Sequence, residues 1–136
     1  MAQAWAAHAA RAWEQHGVNK WMAYDRADGS LIGRGGLSRS RIDWQERLEV
    51  GWTVRSDLWG RGYATEIGAA GLRFAFAELG AAEVVAFTEP GNRRSRAVMD
   101  RLGMRYARDI AHDGAPFVLY EIARPTWEEG GGRDEQ

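Results

Sequence analysis

The chain has no cysteine among its 136 residues. That absence excludes disulfides, a thiolate nucleophile and any zinc–sulfur site. There is no run of about 18 consecutive apolar residues, and no basic segment leads into an apolar stretch at the N-terminus. Neither a membrane span nor a secretory signal is therefore expected. An excess of one charge is also missing: 18 lysines and arginines face 19 aspartates and glutamates, for a formal net charge of −1. Such a balance gives no general attraction to nucleic acid or to an anionic membrane. The chain reads as cytoplasmic, without nucleic-acid or membrane partners, and its length suits one domain with one core. Only three histidines occur, and His8 and His16 lack the i, i+4 spacing of a helical metal pair, so no metal is expected.

Two nucleotide fingerprints are absent as well. No Gly-x4-Gly-Lys-Ser/Thr run occurs, and Thr65 stands where the dinucleotide pattern requires its third glycine. What the chain does have is Trp59-Gly60-Arg61-Gly62-Tyr63-Ala64, placed between two contrasting segments. Before it, Leu48, Val50, Trp52 and Val54 alternate with Glu49, Gly51, Thr53 and Arg55, the period of a strand. After it, Thr65 to Leu79 is nearly apolar all round and stops at Gly80, as a buried helix would. A glycine-rich turn at a helix N-terminus directs successive N–H groups to one point, where the helix dipole also favours negative charge. This turn is an expected anion site, best suited to a pyrophosphate, although glycines between a strand and a helix also serve as plain tight turns.

The remaining elements follow in chain order. Residues 2–16 predict an alanine-rich helix ending at Gly17. Lys20 to Tyr24 and Leu31 to Ser38 predict a hairpin about Asp28-Gly29, with Gly33, Gly35 and Gly36 marking a bulge or a close backbone approach. Arg39 to Arg47 reads as a polar loop anchored by Ile42 and Trp44. Val84 to Thr88 is a short apolar strand, and its helical link to the Leu48–Arg55 strand makes the two parallel. A helix over Asn92 to Leu102 ends at Gly103, and Arg105 to Ile110 and Pro116 to Ala123 form a closing hairpin. One domain therefore spans 1–124, with its core over 20–124, and the composition of 125–136 predicts a disordered tail. The fold class is α+β, a mixed and mostly antiparallel sheet flanked by helices.

Two blocks in this order resemble the GNAT family of N-acetyltransferases. Gly62 and Ala64 occupy the last two positions of that family's Gln/Arg-x-x-Gly-x-Gly/Ala signature, with Trp59 a departure at the first. Leu58 to Glu66 is similar to the Trp-Gly-Lys-Gly-Tyr-Ala-Thr-Glu variant of the RimJ/RimL-type branch. Glu89-Pro90-Gly91-Asn92-Arg93-Arg94-Ser95, followed by a helix and Leu102-Gly103-Met104, resembles that branch's second block. The likeness covers about Trp21 to Arg124. It implies a central splayed sheet that lacks the family's first strand and first helix. The resulting uncovered sheet edge would suit either a monomer or a homodimer.

The resemblance also implies acetyl-CoA as cosubstrate and transfer of its acetyl group to a primary amine, either a protein N-terminus or a small-molecule amine such as a polyamine or an antibiotic, by direct attack in a ternary complex. The backbone of Trp52, Thr53 and Val54 would meet the pantetheine, with the Val54 N–H as oxyanion donor. Trp59, Gly60, Arg61, Gly62, Tyr63, Ala64 and Thr65 would hold the pyrophosphate, and Asn92 the pantetheine. Arg94 or Arg101 would meet the 3′-phosphate or the adenine edge, while a solvated helix face accounts for at least two of the four arginines at 93, 94, 96 and 101. Glu49 is the only carboxylate on the central strand and the candidate base; a water chain is the alternative, and His112 on a hairpin tip is a poor one. Ser95 is the candidate acid toward a thiolate that, at a pKa near ~8.5, already leaves tolerably. Helix capping would equally explain Asn92 and Ser95. Trp21, Trp44 and Trp52 could wall the acceptor cleft or be core. A non-catalytic acyl-CoA-binding module remains the other reading.

Overall fold

A computed structural model describes residues 18–130. The helix expected over residues 2–16 lies outside them. Among the described residues six strands form one sheet in the order β1-β2-β3-β4-β6-β5: β1 (Val18–Tyr24), β2 (Leu31–Ile42), β3 (Gln45–Val54), β4 (Glu83–Thr88), β5 (Arg105–His112) and β6 (Ala115–Ala123). Neighbours pair antiparallel except β3 and β4, which are parallel as their helical connection requires. Three α-helices among the described residues complete the fold: α1 (Tyr63–Arg73, continued by a π turn over Phe74–Glu78), α2 (Arg93–Arg101) and α3 (Arg124–Glu129), with a short 3-10 turn at Ser56–Leu58. Among the described residues, no helix is long and apolar enough to cross a membrane.

Alternation along the strands decides what each face covers. Trp21 and Ala23 of β1, Ile32 and Leu37 of β2, and Val50 of β3 are buried with Ile67, Leu72 and Phe76 of the α1 segment in the main core. The opposite face carries a smaller cluster of Ile42, Val85, Ile110 and Leu119. Helix α1 lies close on β3 because its contact residues are small. A Cβ added at Gly68 would stand 3.1 Å from the Trp52 ring, and one at Gly71 would stand 2.7 Å from Val50 Cγ2. The glycines of β2 mark the close approach their pattern suggested. A Cβ at Gly33 would fall 2.1 Å from the Thr53 carbonyl oxygen, and a bulge interrupts the β1–β2 register at Ala23/Tyr24.

Two expectations are corrected. Arg39 to Arg47 is not a loop: β2 runs to Ile42, and β3 restarts at Gln45 across a tight turn in which Asp43 (φ 52°) and Trp44 (φ 68°) are both left-handed. That is the geometry of a two-residue hairpin, usually signalled by Asn-Gly or Asp-Gly, and here hidden by Trp44 in place of glycine. Ile42 is a buried anchor, but Trp44 is 87% exposed. The described part of the tail also differs from its compositional reading, because residues 124–129 form α3, while residues 131–136 lie outside the described residues. Pro125 occupies its first turn, Trp127 stacks on Phe76 with ring centroids 5.0 Å apart, and the Arg124 guanidinium donates to the carbonyls of Phe76 and Ala81. Tertiary contacts here outweigh a polar composition.

Candidate functional site

The sheet opens at its centre. β3 and β4 share a single paired position, Glu49 with Val85, whereas β3 stays paired with β2 to its end at Val54. Beyond Glu49 the two parallel strands part, and a cavity of about 400 Å³ occupies the gap. Glu49, Trp52 and Thr53 line it from β3, Phe87 and Thr88 from β4, and Asn92 and Ser95 from the start of α2. Five of the residues singled out in the sequence thus converge: Glu49, Trp52, Thr53, Asn92 and Ser95. Of the three tryptophans proposed as walls, Trp52 alone lines the cavity, since Trp21 is core and Trp44 stands at an exposed hairpin tip.

The backbone of β3 adds a donor. The Arg55 N–H bonds the Ile32 carbonyl across to β2 at 2.9 Å. Alternate residues of a strand direct their amides to opposite sides, so the Val54 N–H points away from β2, toward the side on which β4 has departed. The Val54 carbonyl is engaged on that side, accepting from Trp59 Nε1 at 3.0 Å. Val54 itself follows Thr53, the last β3 residue on the cavity wall.

Glu49 is half-buried on the cavity wall. Its Oε1 accepts from the Ser40 hydroxyl at 2.6 Å. Burial raises its pKa above the usual carboxylate value, opposed by the Ser40 hydrogen bond and the nearby His112. His112 is placed by the β5–β6 hairpin, where it packs against Phe87 with ring centroids 4.8 Å apart. Sequence reasoning set this histidine aside; its proximity depends on the register of β5 on β6 and of β6 on β4, which no local pattern signals.

The glycine turn is a separate arm of the site and does not line the cavity. Gly60 (φ 83°) and Gly62 (φ 86°) are left-handed, a conformation costly for any residue with a Cβ. Gly62 is the N-cap of α1 and offers no side chain to the first-turn amides, leaving them available to an anion. Thr65 Oγ1, in the same turn, is buried without a hydrogen-bond partner among the described residues. Free amides, two left-handed glycines and an orphaned hydroxyl fit a phosphate-bearing ligand such as CoA. Tyr63 is buried, Ala64 partly buried, and Arg61 exposed beside them.

Trp59 accounts for the departure from the expected motif. Its indole is tied to the end of β3 through Val54, and the Arg94 guanidinium stacks on its ring 4.0 Å from the centroid. Arg94 is therefore held against the turn from α2, although the sequence separation concealed the contact. Arg96 is engaged elsewhere, by the Tyr120 hydroxyl at 3.2 Å and the Pro90 carbonyl at 2.8 Å, so structure accounts for it without a ligand. Asn92 caps α2, its side chain accepting from the Ser95 N–H at 3.1 Å. The capping and cavity-lining roles coincide in this residue.

A splayed parallel pair in a mixed sheet, with a glycine turn feeding the helix beside it, is a fold that this chain shares with an acetyltransferase of solved structure. Residues 1–105 match the acetyltransferase (GNAT) domain. The chain belongs to the GNAT acetyltransferases. It is 33% identical over 106 residues to the uncharacterised YkkB protein of Bacillus subtilis, covering 78% of this chain and 62% of that one. Over 85 residues it is 39% identical to the FsC-acetyl coenzyme A-N(2)-transacetylase of Aspergillus fumigatus, with 62% of this chain and 34% of that one covered. A solved structure from Bordetella pertussis, assigned to the GnaT-family acetyltransferases, superposes with a TM-score of 0.71 at 30% identity, over 82% of this chain and 70% of that one. The chain spans less than two thirds of the length of the two curated relatives.

Proposed function

We propose that this chain is a cytoplasmic acetyl-CoA-dependent N-acetyltransferase of the RimJ/RimL type that acetylates a primary amine by direct attack in a ternary complex. The observation that carries the reading is the convergence of a perturbed carboxylate, Glu49, and a hydroxyl, Ser95, on one cavity at the point where β3 and β4 separate. The amides from Gly60 to Thr65 hold the pyrophosphate, and the open edges of β3 and β4 pair with the amide-bearing pantetheine. In the reaction the amine nitrogen adds to the thioester carbonyl to give a tetrahedral oxyanion, and its collapse breaks the C–S bond. Glu49 accepts a proton from the nitrogen, through a water where one intervenes, the Val54 N–H stabilises the oxyanion, and Ser95 supplies a proton to the departing sulfur. No step requires a metal.

Calorimetric titration of the full chain with acetyl-CoA tests the donor site. Wild type binds. A Gly62→Ala variant, forced to hold a left-handed φ at a cost of about 1–2 kcal/mol, binds roughly tenfold more weakly while keeping its circular dichroism spectrum. Equal binding by the two proteins would remove the turn from the donor site. Binding of acetyl-CoA with no acetyl transfer to any amine would convert the chain to an acyl-CoA-binding module.

A further inference from the structure

The cavity continues from Glu49 across the open face of β2 and β1, where two cations line it: Lys20 on β1 and Arg34 on β2. Strand register fixes their relation. Lys20 pairs with Gly36 and Met22 with Arg34, so Lys20 and Arg34 are diagonal neighbours on the same sheet face, with backbones roughly 7 Å apart. Side chains of that length reach a common point. Gly36 in turn pairs with Gly51, Ser38 with Glu49, and Arg34 with Thr53. Glu49 therefore stands two strands from Lys20 and one row away, a separation of roughly 12 Å from strand spacing and rise. Between them the floor is glycine, and a Cβ at Gly51 would meet nothing within 4 Å.

The charges are thus separated, with the carboxylate at one end and two cations at the other. Among the described residues, no ion pair engages Lys20 or Arg34, whereas Arg47, Arg55, Arg108 and Arg124 all have carboxylate partners. Two cations without a carboxylate partner among the described residues, lining one cavity beside an open glycine floor, are matched by an anion. We infer that the acceptor is a compact amine that also carries an anionic group, a carboxylate or a phosphate, held by Lys20 and Arg34 while its nitrogen faces Glu49. This rests on the acetyltransferase reading for the role of Glu49, but the anion site stands on its own geometry. Glu49 sets the orientation, because the same carboxylate that attracts the ammonium repels the anionic end. A cavity of about 400 Å³, near the low end for ligand sites, favours a small acceptor.

The test is calorimetry of the full chain, with CoA present, against three primary amines that share an aminoethyl unit and differ in what it carries: phosphoethanolamine, β-alanine and ethylamine. Acetylated products are followed in parallel by mass spectrometry. Phosphoethanolamine or β-alanine is expected to bind at least tenfold more tightly than ethylamine, and the tighter of the two identifies phosphate or carboxylate. The double variant Lys20→Gln/Arg34→Gln loses that margin but keeps its acetyl-CoA affinity within twofold. Ethylamine binding as well as the anionic amines, no binding of any of the three, or a margin that survives the double variant would each overturn the inference. A large loss of acetyl-CoA affinity in the variant would do so too, by giving the cations to the donor. Selective binding without any acetylated product would leave the anion site standing and remove the acetyltransferase reading instead.

Discussion

At the scale of single residues, Glu49 carries two opposed demands. A base must be ionised to accept a proton, yet the burial that places Glu49 on the cavity wall favours its neutral form. Because its folded pKa lies above the unfolded value near 4.5, the folded protein retains a proton that the unfolded chain has already lost. Ionising Glu49 therefore costs stability, with no cost below the ordinary value and the full cost above the raised one. Glu49→Gln should consequently be more stable than wild type to urea at pH 7, with the difference vanishing as pH falls below about 4. The same variant should lose roughly 10²-fold or more in kcat/KM, together with the acidic limb of the pH–rate profile. A variant that is inactive but no more stable at neutral pH would mean that burial does not perturb this carboxylate. Asn92 was legible beforehand, because capping is a local rule that the Ser95 amide obeys. The stacking of Arg94 on Trp59 was not, because it joins residues 35 positions apart through the docking of α2 beside the turn.

At the scale of elements, the donor turn depends on how firmly α1 is seated. Gly68 and Gly71 face Trp52, Leu102, Val50 and Trp21 so closely that a single added carbon must displace something. At Gly68 the end of Leu102 can yield more readily than the Trp52 ring, which itself lines the cavity. Gly68→Val should cost about 1–3 kcal/mol in urea denaturation, the usual range for overpacking, and should weaken acetyl-CoA binding because the helix that presents the turn is pushed off β3. Loss of stability without loss of binding would separate the seating of α1 from the geometry of its N-terminus. The strand, turn and helix around this contact were readable because periodicity and glycine placement agree there. The β2–β3 hairpin tip was not, since left-handed Asp43 and Trp44 carry none of the glycine signal of their turn, and the π turn at the end of α1 leaves an ordinary apolar pattern in the sequence.

At the scale of the whole molecule, the C-terminal segment closes the far end of the helix whose near end forms the donor turn. Arg124 binds that far end, donating to the part-buried carbonyls of Phe76 and Ala81 while stacking 5.6 Å from the Phe76 ring centroid. Its ion pair with Glu128 is an exposed i, i+4 contact. These two kinds of interaction differ in strength: an exposed pair contributes about 0.5 kcal/mol or less, whereas part-buried carbonyls that lose a charged donor cost about 1–3 kcal/mol. Arg124→Ala should therefore lower the melting temperature by roughly 4–8 °C, while Glu128→Ala should move it by no more than roughly 2 °C. Similar shifts in the two variants would assign the role of Arg124 to the surface ion pair. A large shift confined to Arg124 would instead show that the last described helix is a structural cap on α1, held by backbone carbonyls that its own polar sequence gave no reason to expect it to meet.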